Sequence, residues 1–211
     1  MEMHQEVEAL RQSLKSNNDF IINPIDLSLP VIPPFRGGGE IKLIILGQDP
    51  TIKKVASRAK ITCTLNLDKN NALKTYVIRI CEGLGISIEN VFATNLFKYF
   101  YTERPAGTIE VLKAHLEPNL VLLKQELEEF KSLPIITLGE PVLQLLTHNN
   151  NKVHKYWDYN PKAKECSGNF TFSSAEQNKL NRDFYPLPHQ PSIRYNLYNS
   201  NLLNYLSLMK I

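Results

Sequence analysis

The stretch at residues 41–50, IKLIILGQDP, decides the fold of this chain. Five of its first six residues are apolar, and the run stops at Gly47, which is soon followed by Pro50. A continuous apolar run rich in β-branched residues, closed by glycine and proline, is typical of a strand buried on both faces. Such strands belong to parallel sheets covered by helices, so this stretch indicates an α/β fold.

Asp49 comes directly after this strand, at the end where open α/β sheets bind their ligands. The rigid Pro50 follows and restricts the direction of the carboxylate, so Asp49 is a candidate for contact with a substrate. Asp49 is equally suited to capping the next helix or bracing the turn. The stretch alone does not decide between these two roles.

Length and composition predict one globular domain. The 211 residues suit a single domain, 1–211, with a full core, and 43% hydrophobic with 21% charged residues is ordinary for such a protein. No apolar run is long enough to cross a bilayer, and the first 18 residues lack the pattern of a signal peptide. We therefore expect no membrane partner and an intracellular location, cytoplasmic or, in a eukaryote, nuclear. Because the sequence carries no oligomer signal, we expect a monomer.

The cysteines and the net charge bear on whether the chain holds disulfides, a metal site or a nucleic acid. Cys63, Cys81 and Cys166 lie far apart and are odd in number, which predicts reduced thiols and argues against a disulfide framework. Their spacing also argues against a zinc or iron–sulfur site, so we expect no metal. The net charge of +3 fits contact with nucleic acid without requiring it.

Apolar runs and helical periodicities alternate along the rest of the chain. The alternation predicts an α/β fold with three α/β/α layers around a mainly parallel sheet of about four strands. Thr108 is the expected cap of the longest helix. Besides the first strand, strands are predicted at residues 91–93, 133–139 and 183–187, and helices at residues 6–16, 71–83, 109–131, 141–146 and 195–209.

Three segments lie outside this alternation. Residues 1–32 combine the N-terminal helix, which is expected to end at residues 17–19, with a proline-rich connector. Residues 148–182 form a polar excursion expected to include a hairpin, and its aromatic cluster at residues 156–159 is interpreted as packing rather than DNA contact. The basic run at residues 51–60 is either a solvated loop or a phosphate-facing surface.

Three polar residues follow three of the predicted strands: Asp49, Asn95 and His189. Because the carboxyl ends of parallel strands meet at one edge of a sheet, we expect these side chains to lie together. A carboxylate, an amide and an imidazole at one edge make a plausible hydrolytic site. Two of them also have a structural explanation, since Asn95 can satisfy backbone groups and His189 can be an ordinary loop histidine.

Several motifs resemble the uracil-DNA glycosylase superfamily. ILGQDP at residues 45–50 is similar to the first motif of its best-known uracil-excising branch, and PHQPSIR at residues 188–194 resembles its His-Pro-Ser motif. Asn95, within FATNLFKYF, lies where the family has its base-reading asparagine. Residues 94–146 are similar instead to the iron–sulfur branches, without their cluster ligands. The resemblance covers roughly residues 33–211.

The resemblance implies a monofunctional DNA glycosylase that flips a nucleotide out of the stack and hydrolyses its N-glycosidic bond without a cofactor. Asp49 would stabilise the positive charge on the sugar and orient or activate the water, and His189 would stabilise the departing base anion. The backbone of Gln48 would donate to a base oxygen, as in an oxyanion hole. Asn95 would read the base edge with an amide that both donates and accepts.

The resemblance also implies a DNA-binding surface. Ile193, four residues after the catalytic histidine, falls where the family places an apolar wedge that fills the gap in the duplex. Ser192, Arg194 and Lys53 or Lys54 are the candidates for phosphate contacts.

Departures from the family pattern bear on the identity of the base. Thr51 and Ile52 stand where the family has tyrosine and histidine, and the smaller Thr51 opens the pocket to thymine or another enlarged base. No aromatic residue occurs between Thr51 and Thr75, so Ile61 is the candidate to pack against the flipped base.

The sequence therefore predicts a hydrolase that removes uracil or a related base from DNA in base excision repair. Two alternatives stay open. The altered pocket residues leave room for a DNA-binding member of the superfamily with little or no excision activity. The small net positive charge of the chain is also compatible with a hydrolase of free nucleosides or nucleotides.

Overall fold

A five-stranded, mainly parallel sheet forms the centre of an α/β fold. The structure is a computed structural model and describes residues 2–16, 25–105, 109–160, 162–163 and 165–211. The sheet has the order β1-β3-β2-β4-β7, while β5 and β6 form a separate hairpin. In chain order the strands are β1 (Phe35–Arg36), β2 (Leu43–Gly47), β3 (Val91–Asn95), β4 (Ile135–Leu138), β5 (Tyr159–Asn160), β6 (Glu165–Cys166) and β7 (Phe184–Leu187).

The middle strand of the sheet, β2, comes from the stretch at residues 41–50. It pairs in parallel with β3, where Gly47 lies opposite Asn95, and with β4 on its other side, where Leu46 lies opposite Thr137. All residues of β2, β3 and β4 are buried. Because successive side chains of a strand point to opposite faces, both faces of the sheet are covered. The predicted buried strand is confirmed.

The edge strand β1 was not predicted, and the sheet has five strands rather than about four. Phe35 and Arg36 pair antiparallel with Ala93 and Phe92 of β3. The strand has only two residues, which is too few to show a periodicity, and it directly follows a pair of prolines. Short strands of this kind are common at the edge of a sheet. The antiparallel pairing therefore arises from the tertiary position of the connector, not from a local pattern.

Five of the helices in the described residues fall into two packed groups. The N-terminal helix α1 and the short α4 both contact the long helix α3, and α2 contacts α6. At the second contact a side chain on Gly83 would collide with Leu203 and Leu206, so glycine allows the two helices to approach. The helices are α1 (Glu2–Ser16), α2 (Ala72–Gly83), α3 (Ile109–Leu127), α4 (Glu140–Leu146), α5 (Val153–Tyr156) and α6 (Asn196–Leu206).

Local signals account for several helix ends. The Asn71 side chain caps α2 by accepting hydrogen bonds from the backbone N–H groups of Leu73 and Lys74, at 2.8 and 2.9 Å. Pro141 stands in the first turn of α4, where its missing N–H costs nothing. The predicted end of the first helix at residues 17–19 and the predicted cap Thr108 lie outside the described residues.

The polar excursion at residues 148–182 contains α5 and the predicted hairpin of β5 and β6. Trp157 is fully buried beneath it and stacks on Tyr205, with ring centroids 4.3 Å apart. Its indole Nε1 donates to the carbonyl oxygen of Pro186 at 2.8 Å. The aromatic cluster is therefore core packing, as interpreted from the sequence.

Among the described residues, no helix is both long enough and apolar enough to span a membrane. Cys63, Cys81 and Cys166 are free cysteines, and the first two are buried. Within the same described ranges no three His, Cys, Asp or Glu side chains are grouped as metal ligands.

Candidate active site

One cavity of about 800 Å³ opens at the carboxyl edge of the sheet. Gln48 and Asp49 enter it directly after β2, Gly139 directly after β4, and His189 shortly after β7. The ends of three parallel strands therefore supply its polar wall, as the α/β arrangement predicts.

Asp49 is held in the wall of the cavity by its neighbours in sequence. Its Oδ1 accepts a hydrogen bond from the backbone N–H of Thr51 at 2.7 Å, and its Oδ2 accepts one from the Gln48 side chain at 2.5 Å. Burial raises the pKa of Asp49 to about 6, against the opposing effects of these hydrogen bonds and of Arg104. A carboxylate with this pKa is mostly ionised at pH 7 and still accepts a proton readily.

His189 lines the same cavity from the loop after β7. Its carbonyl oxygen accepts hydrogen bonds from the backbone N–H groups of Ser192 and Ile193, at 2.8 and 3.2 Å, which fixes the loop behind it. Loss of solvent around the ring and, secondarily, the charge of Arg104 lower the pKa of His189. This shift favours the neutral imidazole, which can donate one ring N–H to a ligand.

Arg104 is a cavity residue that sequence reasoning missed. Its positive charge lowers the pKa values of both Asp49 and His189, so it lies within electrostatic reach of each. It stands in the irregular segment after β3, where no motif marks it. Glu140 was also missed; it lines the cavity while its carboxylate accepts two hydrogen bonds from the backbone N–H of Val153, both at 3.1 Å.

Gln48 offers its backbone to the cavity. Its carbonyl oxygen accepts a hydrogen bond from the N–H of Phe97 at 2.8 Å, which ties the end of β2 to the segment after β3. Among the described residues, no acceptor takes the backbone N–H of Gln48. That N–H is therefore available to a bound ligand.

Asn95 lies next to the cavity but does not line it. It is the register partner of Gly47 and is only 1% exposed. A side chain on Gly47 would collide with the Asn95 Oδ1 and would force the Asn95 amide to move. This oxygen has no hydrogen-bond partner among the described residues. A buried acceptor without a donor is unfavourable, and it is the kind of group that a ligand satisfies.

A buried ion pair supports Asn95 from behind. Lys98, 4% exposed, donates to the Asn95 carbonyl oxygen at 3.1 Å and to the Thr94 hydroxyl at 2.6 Å. Its ammonium also pairs with Glu126 of α3 at 2.7 Å. These contacts fix the end of β3 against α3.

Thr51 and Ile61 lie in the cavity wall. The Thr51 hydroxyl accepts a hydrogen bond from the backbone N–H of Tyr101 at 2.9 Å, so its side chain is held in place. Ile61 packs against Ile32 and Phe100 in a small apolar cluster and presents its remaining surface to the cavity.

Leu65 and Asn66 form a strained turn in the cavity wall that sequence reasoning missed. Both adopt left-handed backbone conformations, with φ of 57° and 52°. Asparagine tolerates this region and leucine rarely does, so the turn stores strain of the kind that clusters at functional sites. The Asn66 Oδ1 is buried and lacks a partner among the described residues. No signal in the local sequence TLN marks the turn.

The basic run at residues 51–60 divides into two parts. Lys53 and Lys60 line the cavity, and Lys54 is exposed beside it. Arg58 is neither solvated nor phosphate-facing, because it is 3% exposed and donates to the carbonyl oxygens of its own loop and of the segment after β3. Its acceptors are Ile52, Tyr101 and Thr102, at 3.0, 2.9 and 2.8 Å.

The predicted wedge, Ile193, is buried. The turn Ser192–Arg194 lies beyond His189, and within it Ile193 is 6% exposed and belongs to the main core. An apolar wedge must stand free of the protein to enter a duplex, so the role predicted for Ile193 would require this turn to move and stays a prediction. Ser192 is half-buried and Arg194 is exposed, and neither lines the cavity.

No protein-family model matches the chain, and no curated protein matches it.

Proposed function

We propose that the chain is a DNA glycosylase that hydrolyses the N-glycosidic bond of uracil or a related base. The observation that carries the proposal is a shared cavity whose wall holds both Asp49, with a pKa raised to about 6, and His189, with a lowered pKa. Cleavage of this bond places positive charge on the sugar and negative charge on the base. The cavity supplies a group suited to each of these charges.

Asp49 is assigned to the sugar side of the reaction. As the C1′–N bond breaks, its electron pair leaves with the base, and the carboxylate stabilises the cationic sugar. A water oxygen then bonds to C1′ while its proton passes to Asp49. The pKa of about 6 suits this role, because the group is ionised at pH 7 before the reaction and basic enough to accept the proton.

His189 and the backbone of Gln48 are assigned to the base side. The neutral imidazole donates its N–H to a base oxygen without needing to be charged, and the N–H of Gln48 adds a second donor. Fixed donors of this kind stabilise a developing anion because they need no reorganisation during the reaction. Asn95 completes the reading of the base only if the ligand reaches the buried amide behind Gly47.

Cations around the cavity support a nucleic-acid substrate. Lys53, Lys60, Lys69 and Arg104 contribute to the cavity wall, which suits contact with phosphates. The reaction as proposed uses no cofactor, since the charges that develop are met by protein groups.

A substrate panel tests the proposal. Purified protein is incubated with single-stranded and duplex oligonucleotides that contain uracil, a thymine mismatch, hypoxanthine or hydroxymethyluracil, and abasic sites are revealed by alkali. We expect cleavage of the uracil substrate and of at least one enlarged base, because Thr51 leaves room for it. If no substrate in the panel is cleaved but DNA is still bound, the glycosylase proposal fails and the alternative of a DNA-binding protein without excision activity is favoured.

The size of the cavity favours one second candidate. A volume of about 800 Å³ lies within the range of ~300–1,000 Å³ that holds a whole small ligand, so a free nucleoside or nucleotide would fit. Free deoxyuridine and deoxyuridine monophosphate therefore belong in the same panel. Release of uracil from these compounds but not from DNA would favour a nucleoside or nucleotide hydrolase.

A further inference from the structure

We propose that residues 52–55 form a DNA-insertion loop, in which the side chains of Ile52 and Val55 pack between bases next to the flipped nucleotide. Lys53 and Lys54 hold the flanking phosphates. The inference rests on the proposed function, and it names the surface by which this same site would hold a DNA duplex open.

Exposed apolar side chains mark the loop. Val55 is 64% exposed and Ile52 is 38% exposed, with two lysines between them. Single exposed apolar residues are common and need no explanation. Here they belong to the segment that leads from the catalytic Asp49, and Ile52 and Lys53 themselves line the cavity.

The loop is held rigidly. Arg58 donates to the carbonyl oxygen of Ile52 at 3.0 Å and anchors the following turn to Tyr101 and Thr102. The backbone N–H of Ser57 donates to the carbonyl oxygen of Lys54 at 2.9 Å. A loop fixed at both ends presents its apolar side chains without a large loss of entropy on binding.

The positive charge around residues 52–55 favours DNA as the partner of this loop. Residues 50–67 contain no acidic residue, and the described part of this surface carries Lys53, Lys54 and Lys60. Two lysines with an aliphatic side chain on either side suit a duplex, in which phosphates flank an apolar stack of bases. Proteins that open duplexes insert apolar side chains between base steps in this way.

The first experiment compares Val55→Ser with Val121→Ser, a matched control on α3 whose valine is 55% exposed and lies outside the cavity. Both sites are exposed, so neither substitution should unfold the protein. Single-turnover excision is measured on one uracil oligonucleotide, single-stranded and paired with guanine. We expect Val55→Ser to lower the ratio of duplex to single-strand rates about tenfold, and Val121→Ser to leave both rates unchanged.

An unchanged ratio in Val55→Ser, including an equal loss on both substrates, would overturn the insertion loop while leaving the glycosylase proposal intact.

The second experiment separates the two proposals. The protein is bound to a duplex with an abasic-site analogue beside 2-aminopurine, whose fluorescence rises on unstacking. We expect the wild type and Val121→Ser to raise the fluorescence and Val55→Ser to fail. No rise with the wild type overturns the insertion loop, and absence of excision with a normal rise overturns the glycosylase proposal alone.

Discussion

The loop after β2 and the loop after β7 both meet the cavity, but they contribute to it very differently. The first brings Gln48, Asp49, Thr51 and Ile61 into the wall. The second brings His189 and then turns Ile193 into the core. A motif can therefore bring one polar group to a cavity while a residue beside it packs in the core.

The largest expected effect is the loss of excision in Asp49→Asn. The amide can neither accept the proton from water nor stabilise the sugar cation with a full charge. Single-turnover excision of uracil should therefore fall by ~10²–10⁴. Circular dichroism checks that the fold is intact, and a rate within a few fold of the wild type would show that Asp49 does not act in the reaction.

His189→Ala should lower the same single-turnover rate by ~10²–10³, the effect of removing one donor from a developing anion. The fold should persist, because His189 lines the cavity and is not part of the buried core. The companion variant His189→Gln, which keeps a donor, should recover part of the loss. Equal rates in the alanine variant and the wild type would exclude the loop after β7 from catalysis.

Ile193→Ala should act on stability instead. Removing a buried isoleucine side chain costs ~2–5 kcal/mol, which denaturant titration would detect as a lower free energy of unfolding. The ratio of duplex to single-strand excision should not change. A large fall in that ratio at unchanged stability would restore Ile193 as a wedge and remove the contrast between the two loops.

Asp49→Asn should also stabilise the protein at neutral pH. The pKa of Asp49 is about 6 in the folded protein and 3.8 is its ordinary value, so the folded state binds more protons between these pH values. The free energy of unfolding of the wild type therefore falls as pH rises through this window. The uncharged variant does not lose this stability, because it has no carboxylate to ionise. We expect a gain of about 1–3 kcal/mol at pH 7.5 and little at pH 4, measured by urea titration. A gain of equal size at both pH values would point to another cause.

The smallest expected effect is a shift of the pH profile in Arg104→Met. The positive charge of Arg104 lowers the pKa values of Asp49 and His189, so its removal should raise both. The acid limb of the excision rate should move to higher pH, with only a modest change at pH 8. If the acid limb of the pH profile does not move and excision is otherwise normal, the charge of Arg104 does not affect the pKa of Asp49.

Much of the fold was predictable because its signals are local. Apolar runs marked β2, β3, β4 and β7, and helical periodicity marked the helices that cover them. The edge strand β1 was missed because two residues hold no period, and its pairing depends on a connector that returns to β3. Trp157 was correctly interpreted as packing, since large aromatic side chains are on average well buried.

The candidate site was predictable only in part. Asp49 and His189 reach one cavity because the ends of parallel strands share an edge. Asn95 follows the same rule, yet it lies behind Gly47, since the rule sets the end of a strand and not the direction of a side chain. Arg104 and Asn66 come from irregular segments, where no periodicity relates sequence to position.

By itself, the sequence determined the α/β class, the buried central strand and the chemical groups that follow it. These features depend on apolar patterning and turn residues, which act over a few neighbours. Tertiary contacts set which groups face the cavity, how far Asp49 is desolvated, and that Arg58 and Ile193 are buried. Burial and electrostatic reach depend on chain segments far apart in sequence, which local patterns do not encode.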